Sequence, residues 1–160
     1  MTQTRYLKFQ IAALLLFLVN FGVPVSAAAE TLDTVLTNYI TALNTSMPPS
    51  NNASAVAKLF APDAIQYHMN PGIPNQQGRG EIQQFFAGFS DSFADWTHVE
   101  KSRVIQGRRA VWEGTAQGHD KGTGKFLSLP IVFILEFDDQ GLVKQNRVYV
   151  DVQVIPDQLK

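Results

Sequence analysis

The order of hydrophobic periodicities predicts an α+β fold, with a bent antiparallel sheet wrapped over three N-terminal helices. Two observations carry this. Apolar residues recur at helical spacing before position 90, and from Trp96 onward the spacing changes to two, the period of half-buried strands. Helices first and a strand meander after is the pattern of a segregated α+β domain and not of alternating βαβ units.

Residues 1–27 stand apart from that domain. Arg5 and Lys8 form a basic start, Ile11 to Val19 is an apolar run, and Val25-Ser26-Ala27 is a small-residue cleavage site. Asn20, Gly22 and Pro24 interrupt the run well short of the roughly 20 residues a spanning helix needs. The segment reads as a cleavable signal peptide, with the product secreted or periplasmic and holding no membrane span after processing. An exported chain would then begin near Ala28, which its intact mass would report. The remaining 133 residues are one domain with room for a real core. Two of the 13 basic residues and none of the 14 acidic ones precede residue 28, so the remainder carries a net charge of −3. It has no basic run, which argues against a nucleic-acid partner. The absence of cysteine excludes disulfides and thiol chemistry.

Leu32, Val35, Leu36, Tyr39, Ile40 and Leu43 form an unbroken helical stripe, with Thr31 as N-cap and Asp33 at the positive end of the dipole. The loop "NTSMPPSNNAS" ends that helix. A short second helix is predicted to carry Ala55, Val56, Leu59 and Phe60 and to stop at Pro62. "AIQYH" reads as a first strand, followed by the turn-rich "MNPGIPNQQGRG". Glu81 opens a third helix with Ile82, Phe85, Phe86 and Phe89 on one face. "THVEKSRVI", "RAVWEGTAQG", "KFLSLPIVFILEF" and "LVKQNRVYVDVQV" are four further strands. The third of these is apolar on both faces, as a central strand should be, and its Pro130 predicts a bulge or a nearby edge.

Four segments in this order, "LFAPDAIQYH", "GRGEIQQFF", "FADWTHVEKSRVIQGRRAVWEGTAQG" and "LEFDDQGLVKQNRVYVD", resemble the SnoaL-like branch of the nuclear transport factor 2-like superfamily. The resemblance covers nearly all of residues 31–160. It implies a cone-shaped α+β barrel with a deep apolar cavity, commonly paired as a homodimer. Relatives include polyketide cyclases, ketosteroid isomerases, epoxide hydrolases, dehydratases and non-enzymatic binding domains, so fold alone does not name a function.

The resemblance also suggests site residues. Tyr39 aligns with the isomerases' oxyanion tyrosine, although it also belongs to the apolar stripe. His68 falls opposite their carboxylate base, where an imidazole could move protons near neutral pH. Tyr67, pointing the other way, is expected in the core. The isomerases' second acid aligns with Phe133, and the cyclases' histidine with Ala116 of "GTAQG". "PIVFIL" contains no acidic residue, so two familiar acid–base sets are incomplete.

On the last strand the resemblance turns Asn146, Val148 and Val150 toward the cavity. Arg147, Tyr149 and Asp151 then lie on the outer face, as scaffold or dimer interface, with Asp151 able to pair with Arg147. Trp112, among the small neighbours Ala110, Gly114 and Ala116, suits a cavity wall or a core filler. His98 and His119 look isolated, and three scattered histidines have no metal-ligand spacing. Asn44 and Asn52 lie in glycosylation sequons. The expected ligand is a small hydrophobic molecule, with no cofactor or metal. Isomerase, cyclase or hydrolase chemistry through His68 and Tyr39 is one reading, and a non-catalytic binding or assembly domain is the other.

Overall fold

The computed structural model describes residues 31–158, so the proposed signal peptide lies outside the described residues. Helix α1 spans Leu32–Ser46 and α2 spans Ala53–Ala57. Strand β1 is Phe60–His68, and the two-residue β2 is Gln76–Gln77. Helix α3 covers Gly78–Ala87, followed by the single turn α4, Phe89–Ser92. Strands β3 (Thr97–Gln106), β4 (Arg109–His119), β5 (Phe126–Phe137) and β6 (Val143–Val150) complete the sheet. A 3-10 turn at Val152–Val154 and the short helix α5, Ile155–Gln158, follow.

The predicted stripe of α1 is buried at Leu36, Tyr39, Ile40 and Leu43, and Thr31 Oγ1 accepts the Thr34 N–H at 3.3 Å as N-cap. The six strands run in the order β2-β1-β6-β5-β4-β3 in one curved sheet. It is mixed and not wholly antiparallel, because β1 pairs with β6 in parallel. Strand β5 is flanked on both sides by long partners, which is why its sequence is apolar on both faces. Leu127, Leu129, Ile131, Phe133, Leu135 and Phe137 bury one face of it against the helices.

Three boundaries differ from the sequence reading. The second helix ends at Ala57 and Phe60 already begins β1, so Pro62 does not stop a helix. It lies in the stretch where the β1–β6 register shifts, between Phe60 and Ile65. The last strand stops at Val150 instead of Val154. Pro130 gives a reason: the Asp151 N–H donates to the Pro130 carbonyl at 3.2 Å, but proline has no N–H to return the bond. The Asp151 side chain then accepts the Gln153 N–H at 3.0 Å and turns the chain out of the sheet.

Two clamps tie α1 to β3. At one end Asn44 bonds the backbone of His98 in both directions, its Nδ2 donating to the carbonyl at 2.9 Å and its Oδ1 accepting the N–H at 2.8 Å. At the other, Arg103 donates to Asp33 Oδ1 at 3.1 Å and Thr37 Oγ1 at 2.8 Å while paired with Glu100. Glu100 also accepts the Trp112 indole N–H at 2.8 Å. Tyr67 is not a core residue: it is half-buried, with the Arg147 guanidinium 5.9 Å from its ring centroid. Among the described residues no helix is long and apolar enough to cross a membrane.

Candidate functional site

The curved sheet and helices α1 and α3 enclose a cavity of about 420 Å³. Its wall is overwhelmingly apolar. Leu43 and Met47 come from α1, while Phe85, Phe86, Phe89, Phe93 and Trp96 come from α3 and the segment after it. Leu129, Ile131 and Phe133 of β5 and Val148 and Val150 of β6 form the floor. Val152 and Ile155 reach it from the C-terminal turn. The aromatic side chains pack edge-on and tilted against one another, as in Phe85–Phe89 at 5.4 Å and Phe93–Trp96 at 4.2 Å between centroids.

A small polar set interrupts this wall: Tyr39, Gln66, His68, Ser92, His98 and Asn146. Among the described residues no acidic or basic side chain other than histidine lines the cavity. His68, at the end of β1, sits beside its register partner Val148, which is opposite Phe133 on β5. Its Nε2 lies 2.9 Å from Gln76 Oε1 and 3.1 Å from Gln66 Nε2; with the Gln76 oxygen as its acceptor, Nε2 carries the proton. Gln66 Nε2 donates to the same Gln76 oxygen at 3.1 Å, and Asn146 Nδ2 donates to Gln66 Oε1 at 3.3 Å. Gln76 in turn donates to the Pro74 carbonyl. In that tautomer His68 Nδ1, buried and without a partner among the described residues, is the lone-pair nitrogen. Burial holds the imidazole pKa below its ordinary value, partly offset by the Gln76 bond, so at neutral pH the ring is an uncharged base.

Three buried side-chain atoms have no hydrogen-bond partner among the described residues: Tyr39 Oη, His68 Nδ1 and Asn146 Oδ1. All three residues line this one cavity. Tyr39 is 2% exposed, its ring edge-on to Phe60 at 6.0 Å and to Phe133 at 6.4 Å. Burial alone pushes its phenol pKa up, so the hydroxyl remains a donor.

Of the residues singled out from the sequence, Tyr39, His68, Phe133, Asn146, Val148 and Val150 therefore meet in one place. Trp112 does not join them. It is fully buried behind Phe133, stacked at 5.4 Å, and fills the core instead of the cavity wall. Arg147, Tyr149 and Asp151 are exposed on the outer face, and Asp151 serves the Gln153 N–H instead of pairing with Arg147.

The sequence reading missed Gln66, Gln76 and His98. Gln66 was within reach, since it shares a strand face with His68 two residues on. His98 gave no such signal. It is 7% exposed, its Nδ1 lies 3.0 Å from Asn44 Oδ1, and its ring leans on Phe133 at 5.5 Å. Its register partner is Ala116, the position the resemblance assigns to the cyclases' histidine. His119 is exposed and paired with Asp95 at 2.9 Å. Among the described residues no group of three or more His, Cys, Asp or Glu could hold a metal ion.

The SnoaL-like domain family matches residues 36–146, which contain every strand of the cavity floor except the last rungs of β6. The chain belongs to the SnoaL-like domain family. Its fold is shared with a ketosteroid isomerase-like protein from Catenulispora acidiphila DSM 44928, solved in complex with trimethylamine (19% identity, 75% of this chain and 90% of that one, TM-score 0.67). TerC co-crystallised with polyporic acid is similar at 14% identity, 80% and 97% coverage and a TM-score of 0.66. A candidate SnoaL-like polyketide cyclase from Shewanella denitrificans OS-217 has 19% identity, 80% and 96% coverage and a TM-score of 0.67. No curated protein matches the sequence.

Burial pushes the His98 pKa down to about 3, whereas in the unfolded chain it returns to about 6.5. Between those values the unfolded chain binds a proton that the folded one refuses. Stability from this group is therefore complete above pH 6.5 and is lost on acidification, by up to about 1.4 kcal/mol per pH unit. Thermal melts from pH 7.5 to 4 should show a falling midpoint, and His98→Phe should flatten part of that slope.

Proposed function

We propose that this protein binds a neutral, hydrophobic carbonyl compound and moves a proton on it, with His68 as base and Tyr39 as donor to the developing oxyanion. The observation that carries this reading is that Tyr39, His68 and Asn146, each with a buried side-chain atom that has no hydrogen-bond partner among the described residues, line one otherwise apolar cavity. A buried polar atom without a partner is costly, and a ligand oxygen or hydroxyl would satisfy it. The small molecules bound by two proteins of the same fold support cavity binding.

In the proposed step, His68 Nδ1 takes a proton from the carbon beside the carbonyl. The C–H electron pair becomes the enolate double bond, and the carbonyl π pair moves to oxygen, where Tyr39 donates a hydrogen bond. Such a contact strengthens as charge develops, so it acts on the transition state more than on the bound ground state. The imidazolium, its Nε2–H still on Gln76, returns the proton to carbon. Among the described residues the wall contains no carboxylate, and this favours a second reading in which the cavity binds its ligand without turnover.

Deuterium exchange into 2-tetralone, a neutral bicyclic ketone, separates the two. The proton-transfer reading expects protein-dependent exchange, with His68→Ala lowering the rate roughly 10²- to 10⁴-fold. Tyr39→Phe should lower the rate more than the affinity. The rate should hold to lower pH than an ordinary imidazole base would allow, because burial lowers the His68 pKa, and should fall on further acidification. The raised pKa of the Tyr39 phenol predicts no loss on the alkaline side up to pH 10. Binding with no exchange above buffer would leave only the second reading.

We further infer a homodimer through the outer sheet face. Val104, Val111 and Tyr149 are exposed there beside Arg147 and Asp151, and one self-complementary patch would serve both subunits. Light scattering should give twice the chain mass, and Arg147→Glu should reduce it. A monomer throughout the micromolar range would refute the arrangement.

A further inference from the structure

We propose that His98, held by Asn44, is a second ligand-binding group of the cavity, accepting a hydrogen bond from a hydroxyl or N–H that the ligand carries apart from its carbonyl. The ligand class is then a neutral hydrophobic hydroxy-carbonyl compound, not a simple ketone. This role requires only that the cavity holds a ligand, as read above, and does not depend on proton transfer.

The tautomer is the first step. Asn44 Oδ1 accepts the backbone N–H of His98 at 2.8 Å and faces the ring Nδ1 at 3.0 Å. The amide orientation is fixed independently, because Asn44 Nδ2 donates to the His98 carbonyl at 2.9 Å. An acceptor oxygen beside Nδ1 places the ring proton there, and Nε2 keeps the lone pair. Asn44 does not line the cavity whereas His98 does, so the Nδ1 edge is turned to the helix and the distal tip to the cavity. The ring is braced by Trp112 at 6.3 Å and Phe133 at 5.5 Å between centroids. Asn44 thus holds the His98 backbone with two hydrogen bonds and the ring Nδ1 with a third.

Topology separates the two imidazoles. Phe133 lies on β5, His68 two strands away on β1 and His98 two strands away on β3. Four strand spacings of about 4.8 Å give roughly 19 Å along the sheet, and less across its concave face. Both nitrogens offered to the cavity are acceptors, and Tyr39 is the donor between them. With no charged side chain among the described residues of the wall, an ionic ligand would find no counter-charge from them. A molecule suited to this pattern is apolar through its middle, offers an oxygen to Tyr39 and presents a donor to His98.

Calorimetry with the matched probes 2-naphthol and 2-methoxynaphthalene tests the assignment. They share an apolar body and differ in the donor. Wild-type protein should bind 2-naphthol about 3- to 10-fold more tightly, the value of one net hydrogen bond. His98→Phe, which keeps a ring against Phe133, should bring the two affinities within about 2-fold while leaving 2-methoxynaphthalene binding intact. His68→Ala should retain the preference. Nitrogen NMR of histidine-labelled wild-type protein gives a readout that needs no variant: 2-naphthol should shift the His98 Nε2 resonance and 2-methoxynaphthalene should not. No preference in wild type, a preference that survives His98→Phe, an unmoved Nε2 resonance, or no binding of either probe to millimolar concentration would overturn the proposal. Loss of tetralone exchange with the naphthol preference intact would instead remove the proton-transfer reading alone.

Discussion

A buried polar atom left without a hydrogen bond costs about 1–3 kcal/mol, and this fold carries three of them around one cavity. A small domain without disulfides has little stability to spare for such atoms. The arrangement around them is correspondingly ordered. Asn146, Gln66, Gln76 and His68 form a continuous hydrogen-bonded chain, so only the far atoms, Asn146 Oδ1 and His68 Nδ1, are left unsatisfied. The apolar wall raises the cost and, by the same physics, the strength of any contact a ligand makes with them.

The scaffold explains how these atoms are held in place. Clamps at both ends of α1 fix the helix that carries Tyr39 against β3, and Phe133 supports Tyr39 and His98 from the central strand. In the proposed reaction His68 would stand where the resemblance puts a carboxylate base. An uncharged base suits a dry wall better than a carboxylate would, since a buried anion needs charge-bearing partners that this cavity lacks.

Much of this was legible in the sequence, because periodicity reports which face is buried. The stripe of α1 and the alternation in β5 and β6 marked the buried faces, and the resemblance to the SnoaL-like branch set Tyr39, His68, Phe133, Asn146, Val148 and Val150 around one space. What escaped was long-range pairing. Asn44 and His98 are 54 positions apart, and the asparagine reads as an ordinary sequon until the helix end is seen against the strand. Gln76 lay in a turn-rich stretch with no period to mark it, yet its carbonyl sets the tautomer of His68. For Trp112 a strand pattern gave a face but not a depth, leaving cavity wall and core filler both open; it fills the core, stacked beside Phe133.

The central claim is that His68 presents an unprotonated Nδ1 to the cavity at neutral pH. Long-range proton–nitrogen correlation NMR on histidine-labelled protein at pH 7 reads this directly. The account predicts a single neutral tautomer for His68 with the proton on Nε2 and a lone-pair shift at Nδ1. A proton on Nδ1, a charged ring, or the averaged shifts of a solvent-exposed histidine would contradict it.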